Sequence, residues 1–124
     1  MKAASLNEIK KELSYQDLKR VLELCMRLAK YKKENKELLT YMLFEAGDET
    51  GYVASVKSEM DDLFETLPKS NVYLIKKVLR KILRLTNRQI KYSEVKQTEV
   101  ELRTYFCLKM KKSGIRSLPS QVLH

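Results

Sequence analysis

The sequence predicts an all-α fold, and three observations carry that prediction. Only 3 glycines and 2 prolines occur in 124 residues, too little punctuation for a set of hairpins. Leu, Lys and Glu, all good helix formers, dominate the composition. Apolar residues recur at three- and four-residue spacing along most of the chain, the period of an amphipathic helix. A chain of this length buries roughly two thirds of its unfolded surface and needs no covalent staple. Residues 1–113 are therefore expected to form a single domain of about six helices, and residues 114–124, with a proline and no periodicity, a poorly ordered C-terminal tail.

Ser5 opens a short helix whose inner face is Leu6, Ile9 and Leu13. Ser14 restarts the pattern, and with Asp17 three residues on it makes a start like a capping box, because a hydroxyl and a carboxylate can both engage free first-turn amides. The second helix places Leu18, Val21, Leu22, Cys25 and Ala29 at helical spacing and ends near Tyr31 to Lys33. The third, with Leu38, Leu39, Tyr41, Met42, Leu43 and Phe44, is apolar nearly all round, the pattern of a buried helix, so Leu39, Met42 and Leu43 are expected among the most buried side chains. Gly47 suits its C-terminal cap, and Asp48 with Glu49 suits the amide-rich start of the fourth helix. That helix puts Val53, Val56, Met60, Leu63, Phe64 and Leu67 on one side and is stopped by Pro68. Ser70 or Asn71 caps the fifth, which runs to about Tyr92, and Ser93 caps the sixth, which ends before Gly114.

The helices contain a candidate duplication. Shifted by 57 positions, LKRVLELCMRLA (18–29) lies on IKKVLRKILRLT (75–86), with Lys, Val, Leu, Arg and Leu identical. Shifted by 64, NKELLTYMLF (35–44) meets EVELRTYFCL (99–108), and a shift of 54 lays Leu6, Ile9 and Leu13 on Met60, Leu63 and Leu67. Residues 5–46 and 59–111 then read as two units, each with a short first helix, a long basic second and an apolar third. This resembles the three-helix pattern of armadillo and related HEAT-like solenoid repeats, and the resemblance implies equivalent helices side by side on one face. The alternatives are chance alignment of amphipathic helices and a compact antiparallel helical bundle.

The net charge of +9 is unevenly spread. Regional nets are +4 over 1–44, −6 over 45–65, +8 over 66–93 and +3 over 94–124. On the fifth helix Ile75, Leu79, Ile82, Leu83 and Thr86 cluster on one side, while Lys76, Lys77, Arg80, Lys81, Arg84, Arg88 and Lys91 cover the other with Tyr73 among them. A basic stripe with an aromatic can hold phosphates and stack a base; the plainer reading is a solvated face, partly neutralised by the acidic fourth helix. What separates the two is whether the cations stay free in the fold. No helix-turn-helix turn, aromatic strand pair or zinc finger accompanies them. The sixth helix carries a second apolar side, Val100, Cys107 and Leu108, which is either sandwiched in the fold or offered as a protein contact, including a homodimer.

Catalytic and metal chemistry find little support. In EMDDLFE, residues 59–65, Asp61, Asp62 and Glu65 lie within about one turn and resemble the aspartate-rich motifs of helical isoprenoid enzymes, but those need a larger bundle and a second acidic motif. Cys25 lies on a core stripe and His124 on the tail, so neither nucleophile nor base is placed for catalysis, and no cofactor, metal or small-molecule substrate is expected. No run of 18 apolar residues and no secretory leader pattern is present, and the two cysteines read as reduced, so a cytoplasmic, membrane-free setting is expected. The sequence thus points first to a non-enzymatic helical domain that binds another protein, and second to nucleic-acid binding through the helix at 70–92.

Overall fold

The computed structural model describes residues 1–114, and among these the protein is all-α: six helices and no strand. They divide into two units, the first ending at Thr40 and the second beginning at Tyr41. The expected tail lies outside the described residues, apart from Gly114 at its start.

The first unit holds α1 (Leu6–Ser14), α2 (Leu18–Tyr31) and α3 (Lys33–Thr40). Ser5 caps α1 through a full capping box: its hydroxyl accepts from the Glu8 amide, and Glu8 reaches back to the Ser5 amide. The start of α2 differs from expectation. Asp17 is the cap, accepting from the Arg20 amide at 2.8 Å, while Ser14 ends α1 and turns its hydroxyl onto the Lys11 carbonyl. A carboxylate adjoining the first turn is the nearer acceptor, and Ser14 is still helical, so its side chain bonds backward. Helices α2 and α3 pack on each other through half-buried Val21, Cys25 and Ala29 with Leu38 and Leu39, and Asn35 donates to the Leu28 carbonyl at 2.8 Å. No residue of α1, α2 or α3 is buried, so Leu6, Ile9 and Leu13 form an exposed apolar face instead of an inner one.

The second unit begins with a π-helical turn, Tyr41–Glu45, in which the Ala46 amide donates to the Tyr41 carbonyl. Three helices follow: α4 (Glu49–Phe64), α5 (Val72–Ser93) and α6 (Lys96–Lys112). Here the expected burial of the third apolar segment is overturned. Tyr41 alone turns inward; Met42, Leu43 and Phe44 are exposed, Leu43 at 67 %, and Leu39 is half-buried. An apolar run buries only those positions that meet a neighbour, and here the inward anchor is the Tyr41 ring, tilted against Tyr52 with ring centres 4.6 Å apart.

Contacts between side chains fix the directions of the three long helices. At one end Tyr52 donates to the side chain and carbonyl of Gln89, and Glu49 meets Ser93 and Thr98; toward the other, Asp61 meets Tyr105 and Lys109, and Phe64 lies 5.8 Å from Phe106. So α5 runs antiparallel to α4 and α6. The core is one cluster: Val53, Val56, Met60 and Phe64 from α4, Ile75, Leu79, Ile82 and Ile90 from α5, Leu102, Phe106 and Met110 from α6, closed by Tyr41 and Tyr52. Asn71 caps α5, its side chain accepting from the Leu74 amide. Ser93, expected to cap α6, instead ends α5; the α6 cap position is Val95, with no side-chain bond, and the Ser93 hydroxyl accepts from the Val95 amide. The two-residue connection forces Glu94 into the left-handed region, φ 59°. No helix among the described residues is long and apolar enough to cross a membrane.

Candidate functional site

Helix α5 is built from straight-chain and aliphatic residues of good helix propensity, and its buried positions, Ile75, Leu79, Ile82, Thr86, Ile90 and Ser93, recur every three or four residues. Anchoring that stripe in the core leaves the opposite side to solvent. Of the seven cations there, Lys77, Arg80, Lys81, Arg84 and Lys91 are exposed, while Lys76 and Arg88 are half-buried. Arg88 Nε is fully enclosed with no hydrogen-bond partner. Tyr73 is 73 % exposed, at the N-terminal end of the same side.

The neighbouring acids do not neutralise this face. On helix α4, Asp61 turns toward α6, pairing with Lys109 at 3.2 Å and accepting from Tyr105 at 2.6 Å, while Glu101 on α6 pairs back with Lys57 at 3.8 Å. Glu99 takes Arg103 at 3.1 Å. None of the seven α5 cations has a carboxylate within ion-pair distance among the described residues. The side-chain oxygens of two α5 amides are also committed. Asn87 accepts from Arg103 at 3.0 Å, and Gln89 is held by the Tyr52 hydroxyl at 2.6 Å. What remains open is a strip of positive charge ending in one aromatic ring.

The second sequence-derived candidate is also open. Thr98, Leu102, Phe106 and Met110 bury one side of α6, and Val100, Cys107 and Leu108 stand exposed on the other, Leu108 at 52 %. The strip is two turns long. In EMDDLFE the acids diverge: Asp61 is occupied by Tyr105 and Lys109 while Asp62 and Glu65 face solvent, and no group of acidic, His or Cys side chains suited to a metal ion occurs among the described residues. Cys25 is half-buried, and His124 lies outside the described residues.

The sequence gives no hint of the most elaborate polar cluster. Glu49, placed in the first turn of α4 by the Asp48 cap, accepts from Tyr41 at 2.6 Å, from Ser93 at 2.5 Å and from Thr98. One carboxylate thus ties the π turn to the ends of α4 and α5 and the start of α6. Burial pushes its carboxyl up, but the bonds from Ser93, Thr98 and Tyr41 outweigh that and hold it below its ordinary value. Tyr41 moves the opposite way, raised by burial and by its bond to Glu49, and burial raises Tyr52 strongly. At the other end the Tyr105 hydrogen bond, helped by Lys109, lowers Asp61, and Tyr105 is pushed up to about 12. With both oxygens of Glu49 facing protein hydroxyls, this cluster is a joint between helices. Its partners are 8, 44 and 49 residues away in the chain, separations that no periodic pattern reports. Comparison with protein-family models, with curated proteins and with solved structures finds no match to this chain.

Proposed function

We propose that this chain is a non-enzymatic binding protein whose principal surface is the exposed basic side of α5, and that its partner is the phosphate backbone of a nucleic acid. The observation that supports this reading is the division of charge inside the second unit: α4 and α6 are joined by two ion pairs, Lys57 with Glu101 and Asp61 with Lys109, while five exposed cations on α5 have no carboxylate beside them among the described residues. A face that served only solubility would gain from interspersed acids, and α5 has none between Val72 and Ser93. Arg80 and Arg84 offer planar guanidinium forks suited to phosphate oxygens, and the lysines add point charges. A cytoplasmic setting fits, since the free thiols of Cys25 and Cys107 stay reduced there.

Fluorescence anisotropy with labelled DNA and RNA across a salt series tests the reading. Five phosphate contacts give a log-log slope of about −4.5 on duplex DNA and about −3.5 on single strands. Reversing Lys77, Arg80 and Arg84 together to Glu should abolish binding at low salt without unfolding the chain. No binding by the unaltered protein, or binding indifferent to the reversal, removes the reading.

A protein contact, the partner the sequence pointed to first, is favoured by one observation of its own: the exposed Val100, Cys107 and Leu108 strip of α6. Two copies meeting there would form a dimer that light scattering detects and that Leu108→Glu dissolves. A strict monomer at high concentration rules this contact out.

A further inference from the structure

We infer that the α5 surface is specific for single-stranded nucleic acid, with backbone phosphates on the cation row and an unpaired base stacked on Tyr73. The inference rests on the reading of α5 as a phosphate-binding face and adds the class of strand. Tyr73, Lys77, Arg80, Arg84 and Lys91 follow one another at intervals of four, three, four and seven residues, so they form one row down one side of the helix. The row is about 27 Å long at the α-helical rise. Its cations are four of the five exposed, carboxylate-free ones, Lys81 lying to one side, and its first member is a ring in none of the fold's ring contacts. Among the described residues Tyr41 meets Tyr52, Phe64 meets Phe106, and the ammonium groups of Lys57 and Lys109 lie over Tyr105 and Phe64; Tyr73 takes part in none of these ring contacts. Exposed Val72 and Leu74 flank it, giving the open ring an apolar margin.

A duplex stacks its bases on one another and presents only their edges in the grooves. On α5 the side-chain oxygens of Asn87 and Gln89 already accept from Arg103 and the Tyr52 hydroxyl, and the Thr86 hydroxyl bonds the Ile82 carbonyl. The Tyr73 ring face is free, and only an unpaired base can lie on it. Charge row plus open ring is the combination that grips single strands with little regard for sequence, because every base has a π face.

The test uses the full chain with three probes: a labelled oligo-dT or oligo-U of about 20 nucleotides, a mixed-sequence duplex of equal length, and inorganic polyphosphate, which carries the charge without bases. The single strand should bind more tightly than the duplex. Tyr73→Ala should weaken it by about 5- to 150-fold, Tyr73→Phe should keep the affinity, and neither should change binding of duplex or polyphosphate. Circular dichroism checks that both variants stay helical. Duplex bound as tightly as single strand, or single-strand affinity indifferent to Tyr73→Ala, overturns the inference and leaves the phosphate-binding reading of α5 standing. If none of the three probes binds at low salt, or if charge reversal at Lys77, Arg80 and Arg84 has no effect, that underlying reading falls and the inference with it.

Discussion

Two residues hold positions whose chemistry can be tested directly. Glu94 is the one non-glycine residue with positive φ among those described, and its amide still closes α5 by donating to the Ile90 carbonyl at 3.1 Å. Glycine adopts that backbone without a Cβ penalty, so Glu94→Gly should stabilise the protein by about 0.5–1 kcal/mol in a urea midpoint comparison. Glu49 is the reverse case, a side chain that no substitute matches. Glu49→Gln turns an acceptor into a donor facing hydroxyl donors, and should cost about 1–3 kcal/mol. Its pH signature has a definite sign. The folded state holds the Glu49 and Asp61 carboxyls below their ordinary values of 4.5 and 3.8, so their contribution is fully present above those values and is lost as pH falls through the depressed ones. Urea midpoints from pH 7 downward should stay level until the ordinary carboxyl range and then fall, and Glu49→Gln should flatten that acid limb. Neither residue was legible in the sequence: a Glu in a first turn reads as a dipole partner, and a left-handed Glu has no sequence mark.

At the scale of elements, the amphipathic pattern located every helix, and its failures share one cause. Periodicity tells which face of a helix is apolar; it does not tell whether anything covers that face. On α4 and α5 the apolar faces meet, and Val56, Met60, Leu79 and Ile82 are core as read. On the segment from 38 to 44 the same logic overshot. The paired helices of the proposed duplication make the point: Leu79 is 0 % exposed, and Leu22, its counterpart 57 positions earlier, is 61 % exposed. Truncations separate the two situations. Leu79→Ala should cost about 2–5 kcal/mol, since it leaves a cavity in a closed cluster, whereas Leu43→Ala should stay within about 0.5 kcal/mol. Equal losses would mean that the π turn is covered in solution. The cation row on α5 was legible residue by residue. Its freedom from internal pairing was not, because that depends on how the helices pack and on which neighbour takes an acid such as Asp61.

At the scale of the whole molecule, the core cluster among the described residues is drawn from positions 41–110, and α1, α2 and α3 hold no buried residue. The chain from 41 to 124 should therefore unfold cooperatively by itself, while residues 1–40, whose helices have 9, 14 and 8 residues and bury nothing, should give a weak helical signal alone. Circular dichroism melts of the two pieces check this, and hydrogen exchange on the intact protein should show protected amides concentrated in α4, α5 and α6. The joint at Glu49 has one more consequence, an optical one. The chain has 7 tyrosines and no tryptophan, so its ultraviolet emission is tyrosine emission alone. An excited phenol is a stronger acid than one at rest and passes its proton to a carboxylate that it already touches, which darkens it. Tyr41 on Glu49 and Tyr105 on Asp61 are held that way in the folded protein. Unfolding should brighten the molecule, and light alone, with no label attached, then reports when its helices come apart.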